Sequence, residues 1–202
     1  MHRISILALC LAVILAGFPL LSAQANAAEP DRLILPKPDA TGGKPLMQAL
    51  AERKSTRVFS DKPVPEQEVS NLLWAVWGVN RPTQSLHTAP TARNSQALAV
   101  YVALESGVWL YEPKEHVLIR ALNTDVRSKF GNPPLVLLYA APQDDRFAGM
   151  HVGSLYQNAG LYCASAGLAS VVRAKGADVL NKELPLPKGY TVYIVQPVGW
   201  PK

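Results

Sequence analysis

The stretch ALAVYVALESGVWLYEPKEHVLIRAL, residues 97–122, decides the fold. Residues 97–104 are a continuous apolar run, Ser106-Gly107 is a turn pair, and 108–113 and 116–122 are strand-like runs about a Pro113-Lys114 turn. Strands joined by so few residues pair antiparallel, because a parallel crossover needs a dozen or more. Residues 133–142 and the C-terminal YTVYIVQPVGWPK read as further strands. Helical patterns surround them. Residues 45–54 place Leu46, Ala49, Leu50 and Arg53 on one side. From Pro65 onward, Glu66 and Glu68 occupy the positive first turn, Val69, Leu72, Leu73 and Val76 form a stripe, and Gly78 follows as the stop. Trp74 and Trp77 lie off that stripe, and burying them calls for a partner subunit. Residues 151–169 read as a core helix, with Val152, Leu155, Tyr156 and Ala159 at helical spacing and Gly167 ending it. Residues 124–130 and 177–184 read as short helices, and 80–96 as a long polar loop. The pattern predicts an α+β fold with an antiparallel central sheet flanked by helices. It lacks the strand–helix alternation of a doubly wound dinucleotide-binding fold.

The N-terminus reads differently. One arginine, Arg3, precedes an apolar run from Ile4 to Phe18, and small-x-small sites follow at Ala23–Ala25 and Ala25–Ala27. That layout predicts a cleaved secretory signal over residues 1–27, with export to a bacterial periplasm or beyond. Membrane contact is then confined to the signal segment, whose apolar run is short of the roughly 20 residues a spanning helix needs. Residues 28–44 form an extended Pro/Gly-rich lead-in expected to run along the surface, and 45–202 a single domain. Lys plus Arg number 20 against 15 Asp plus Glu, and without Arg3 the excess is four. That scattered excess forms no basic stripe, so nucleic acid is excluded as a partner. Cys10 leaves with the signal, and Cys163 alone cannot form an internal disulfide; its apolar setting, LYCASAGLA, predicts a buried inert thiol.

Three segments carry side chains that a packed core does not require. In AERKSTRVFSDKPV, residues 51–64, Arg53, Lys54 and Arg57 surround Ser55 and Thr56. On an extended backbone Arg53, Ser55 and Arg57 point to one side, as forked donors to a phosphate would. Cations neutralising a helix C-terminus are the other reading of the same residues. In HTAPTARNSQ, residues 87–96, Asn94 offers a donor and an acceptor to a polar ligand edge, or closes a turn on its own backbone. In SAGLASVVRAKG, residues 165–176, small residues let a flat ligand approach the backbone, or let a helix pack closely on a neighbour.

Taken in order, these segments resemble the nitroreductase-like flavoprotein superfamily from about Thr41 to the C-terminus. RKSTRVFSDKPV resembles the family's Arg-(Arg/Lys)-Ser-x-Arg-x-Phe opening, LLWAVWGVNR the segment after it, and APTARNSQ its Pro-Ser-x-x-Asn-x-Gln element. QNAGLYCASAGLAS resembles the helix ending in Gly-Leu-Gly, and VGWP the terminal Gly-(Tyr/Phe)-Pro. The compact branch related to azoline-forming peptide dehydrogenases is the most similar. The resemblance implies an FMN-dependent oxidoreductase, homodimeric, with the flavin between subunits and hydride passing through its N5. It implies that Arg53, Lys54, Ser55 and Arg57 hold the phosphate and the polar side of the flavin. Pro90, Thr91, Asn94 and Gln96 would form the second element, with Asn94 bonding the flavin or its ribityl chain. The backbone of Val172, Arg173 and Ala174 would lie near N5, supported by Gly167 and Leu168. No catalytic side chain and no metal are implied, since the cofactor performs the chemistry.

The chain departs from the family pattern at several positions. Thr91 stands for Ser, Ala169 for the second glycine of Gly-Leu-Gly, and His151 where Asp is frequent. Only QDDRFAGM separates strand 133–142 from the helix after it, where relatives carry a longer insert over the substrate. Lys202 would replace a later phosphate-binding cation. Two alternatives stay open: an FMN dehydrogenase or oxidase passing electrons to quinone or oxygen, and a flavin-binding protein without turnover. The partner is otherwise a small-molecule electron donor or acceptor. Export predicts slow reduction by NAD(P)H and faster reduction by a quinol or redox partner.

Overall fold

The computed structural model describes residues 31–202; the signal segment predicted at 1–27 lies outside the described residues. Nine strands and three α-helices are formed among the described residues. The strands are β1 Arg32–Ile34, β2 Val79–Arg81, β3 Leu86–His87, β4 Ala99–Leu104, β5 Gly107–Glu112, β6 Val117–Leu122, β7 Leu135–Pro142, β8 Ala169–Ser170 and β9 Tyr190–Gly199. The helices are α1 Leu46–Glu52, α2 Glu66–Trp77 and α3 Ala148–Ala166. Seven strands make one antiparallel sheet in the order β1-β6-β5-β4-β7-β9-β8, and β2 pairs with β3 alone. This is the α+β architecture predicted from residues 97–122.

The central strands read as unbroken apolar runs because both faces of the sheet are covered. Val100 and Val102 of β4, with Leu135, Leu137 and Tyr139 of β7, face the helices. Tyr101 and Ala103, with Val136 and Leu138, face a second core closed by Phe130, Ala177 and Leu180. A sheet buried on both sides carries no polar alternation. The second face is covered by single 3₁₀ turns, Arg127–Phe130 and Ala177–Leu180, where short helices were expected at 124–130 and 177–184.

Five expectations are corrected. The lead-in supplies β1, which pairs with β6 and buries Leu35, so it is not merely a surface path. Within the predicted loop 80–96, β2 and β3 form a small hairpin. α3 opens at Ala148 rather than His151; it ends where predicted, with Gly167 at φ 74°. Trp77 needs no partner for cover: it is 3 % exposed and stacks on His87 at 3.9 Å between ring centroids. The α1 stripe also fails to bury, since of its residues only Ala49 is buried while Leu46, Met47 and Leu50 stay exposed.

Gly78 stops α2, but not through a left-handed turn. Its φ of −66° and ψ of 155° are open to any residue. The requirement is steric: a Cβ there would lie 2.3 Å from the Trp74 ring and 2.6 Å from its carbonyl oxygen. Gly78→Ala is therefore expected to cost about 1–3 kcal/mol through forced shifts of Trp74. Urea unfolding checks this, and an unchanged midpoint would show that the helix end relaxes freely.

Candidate functional site

The site is built where the chain leaving α1 runs beside the chain leaving α3. α1 ends at Glu52, and Arg53 takes an extended backbone, φ −58° and ψ 120°. The following residues lie parallel to β8: Ser55 bridges Ser170, and the Thr56 N–H donates to the Ser170 carbonyl at 2.9 Å. The sheet edge is thus extended by the RKSTR segment. Behind it, a buried network fixes Ser170. Tyr139 O–H donates to Gln196 Oε1 at 2.6 Å, and Gln196 Nε2 donates to Ser170 Oγ at 3.2 Å. Burial raises the Tyr139 phenol well above its ordinary range, so it remains a donor.

Two clefts flank this segment. The first, of about 230 Å³, is lined by Lys44, Lys54, Thr56, Gly160, Gly167 and Ser170 among others. Arg53 lies across α3 beside it, its Cδ 3.5 Å from where a Cβ on Gly160 would stand. The second, of about 440 Å³, is lined by Arg57, Phe59, Phe130, Gly131, Val171, Val172, Arg173 and Pro197. Strict alternation would have put Arg53, Ser55 and Arg57 on one side. In the structure Lys54 and Thr56 line one cleft and Arg57 the next.

The electrostatics are one-sided. Among the described residues, Arg53, Lys54, Arg57 and Arg173 form no ion pair. The neighbouring acid, Glu52, is taken by Lys44, whose hydrogen bond holds its carboxyl below the ordinary carboxylate range. Four cations without counter-ions therefore border two adjoining clefts. On the backbone, the N–H of Arg173 donates to Val195 at 2.9 Å and its carbonyl accepts from Val195 at 3.0 Å. The N–H groups of Val172 and Ala174, on either side, have no protein acceptor among the described residues.

The second element lies apart. Pro90, Thr91 and Asn94 belong to a turn tied to the other end of α3, where Ala92 N–H donates to the buried His151 Nε2 at 2.8 Å. His151 Nδ1 is 3.2 Å from Asp145 Oδ2 but out of line for a hydrogen bond. Arg93, Asn94 and Gln96 all hold φ between 50° and 55°. Left-handed backbone at three non-glycine residues is strained, and such strain gathers at functional sites. Asn94 Oδ1 accepts from Gln96 Nε2 at 2.9 Å, so its amide is partly used within the turn. His151 and Gly167 are sixteen residues apart on α3, about 24 Å at 1.5 Å per residue. Within one chain, then, RKSTR and Gly167–Ala174 come together, and Pro90–Gln96 does not join them.

Lys202 follows Pro201, which bridges Phe59 and lines the first cleft. Cys163, also at that cleft, is 1 % exposed, and burial pushes its thiol up to about 12. Sequence reasoning missed Lys44, Thr56 and Ser170. The only local signal was Gly43 before Lys44: at φ 90°, with Ser165 Oγ 2.3 Å from the place of a Cβ, it lets the lead-in dock on α3 and delivers Lys44 to the cleft.

Comparison with known proteins agrees with this fold. The model of the nitroreductase family matches residues 50–200. A structure of a provisionally named nitroreductase from Ralstonia eutropha JMP134 is 34 % identical, with a TM-score of 0.78 over 86 % of this chain and 94 % of that one. A chain of the Escherichia coli microcin synthetase McbBCD complex, solved with truncated pro-MccB17, shares the fold at 19 % identity and TM-score 0.61, covering 93 % of this chain and 84 % of that one. A nitroreductase with bound FMN from Bacteroides fragilis shares it at 15 % identity and TM-score 0.54, covering 79 % and 89 %. The fold is an α+β fold of the nitroreductase type, and the family match supports an oxidoreductase. The chain belongs to the nitroreductase family.

Proposed function

We propose that the protein is an exported FMN-dependent oxidoreductase that works as a homodimer. The observation that carries this is the set of uncompensated cations at residues 53, 54, 57 and 173, laid beside the Gly167–Ala174 segment. The residues suit FMN: Arg53, Lys54 and Ser55 offer charged and neutral donors to a phosphate. Arg57 would hold the polar side of the flavin, and the free N–H groups of Val172 and Ala174 would be donors to the ring. Phe59, Phe130 and Pro197 give the second cleft apolar walls for a flat ring. When bound, FMN supplies hydride transfer through N5; the chain supplies position, charge and exclusion of water.

The homodimer is supported by two observations. Pro90–Gln96 is held about 24 Å along α3 from Gly167, so a second copy is needed to bring that turn to the flavin. Leu46, Met47 and Leu50 are 62 %, 75 % and 44 % exposed, beside an open groove reaching Trp74 and Leu161. Apolar side chains clustered in this way mark a surface that is covered in use.

Export, inferred from residues 1–27, separates the protein from cytosolic nicotinamides. The connection from β7 to α3 is only Gln143–Phe147, which leaves room for a bulky donor or a protein partner. Stopped-flow bleaching of the FMN-loaded protein is expected to be slow with NADPH and faster with a quinol. Rapid, saturable reduction by physiological NADPH would overturn both the donor and the export reading.

A further inference from the structure

We propose that Arg173 tunes the reduction potential of the flavin by stabilising the negative charge that the ring gains on reduction. The inference rests on FMN occupying the clefts described above. It comes from a feature the binding role alone does not need: two guanidiniums, Arg57 and Arg173, line one cleft that no carboxylate lines.

Arg173 is exposed in the single chain but anchored at both its backbone and its side chain. Its N–H and carbonyl pair with Val195, and its Nη1 donates to the Phe130 carbonyl at 3.1 Å. Phe130 itself is buried and closes the second core, so the guanidinium is tethered to a fixed point. Its remaining N–H groups have no protein acceptor among the described residues. A cation held this way interacts little differently with neutral ligands but favours whichever bound species carries more negative charge.

Reduction changes that charge. A hydride, two electrons and one proton, leaves an organic donor; the donor is oxidised, and the flavin ring is reduced with one more negative charge than before. Arg57, from the RKSTR segment, and Arg173, from the segment after β8, both border the cleft assigned to that ring. Charge placed near the ring nitrogens is one of the ways a protein adjusts a flavin. Arg173 therefore favours the reduced form and makes the bound flavin the better electron acceptor.

The test measures affinity for oxidised FMN and, anaerobically, for dithionite-reduced FMN in wild type, Arg173→Gln, Arg173→Met and Arg173→Lys. In the two uncharged variants the preference for reduced over oxidised FMN is expected to fall about tenfold, about 30 mV in midpoint potential for a two-electron couple. Arg173→Lys keeps most of the preference. An unchanged ratio in both uncharged variants overturns the inference, as does equal weakening of both forms, which would make Arg173 an anchor only. In either case oxidised FMN still binds wild type, so the FMN reading survives. If wild type takes up neither form, that reading fails first.

Discussion

Alanine at Arg53 or at Arg57 is expected to weaken FMN binding by about 1.5–3 kcal/mol each, the loss for a hydrogen bond to a charged group. That is at least a tenfold rise in dissociation constant. The size follows from geometry. Both arginines leave α1 on a backbone pinned to β8 through Ser55 and Thr56, and neither has an acidic partner to compete for it. Arg32→Ala is the control: Arg32 pairs with Glu115 at the far edge of the sheet and should leave FMN affinity unchanged. Unaltered affinity in both site variants would return Arg53 and Arg57 to the other reading, cations that neutralise a helix end.

A larger loss is expected when the exposed face of α1 is made charged. Leu46→Asp combined with Leu50→Asp leaves the buried core of the single chain intact, since neither side chain belongs to it. Folding should therefore survive. If a second copy covers this face, two carboxylates placed in an apolar interface are strongly unfavourable. The expected outcome is a folded monomer by light scattering with circular dichroism like wild type. FMN binding should fall below detection, because Pro90–Gln96 of one copy no longer meets RKSTR of the other. A dimer that persists, or a monomer that binds FMN normally, would refute the composite site.

The antiparallel sheet was legible because residues 97–122 announce two tight turns between three apolar runs, and short connections leave no other topology. α3 was legible from its helical spacing and from Gly167. β1 was not, because three residues at a sheet edge carry no periodicity, and Pro36 and Pro38 argue for an irregular path. β2 and β3 were hidden for a similar reason: pairing there is a tertiary event between short polar segments. Trp77 misled because the helix stripe was counted on one face, whereas α2 is also covered by His87 of β3 at Trp77 and by the lead-in nearer its start. Ser70 Oγ donates to the Pro36 carbonyl, and Gln67 Nε2 to that of Lys37. At the site, the sequence showed which residues carry charge but not how they divide. The bridge between Ser55 and Ser170 joins positions over a hundred residues apart, and local pattern cannot reveal it. Lys44 was missed because its arrival depends on Gly43 packing against Ser165, a contact between segments distant in sequence.

Whether this cation-lined edge holds FMN is decided by the absorbance of the purified protein after incubation with FMN and removal of free ligand. A yellow protein that retains one flavin per chain is expected. A colourless protein that takes up no added FMN would contradict it.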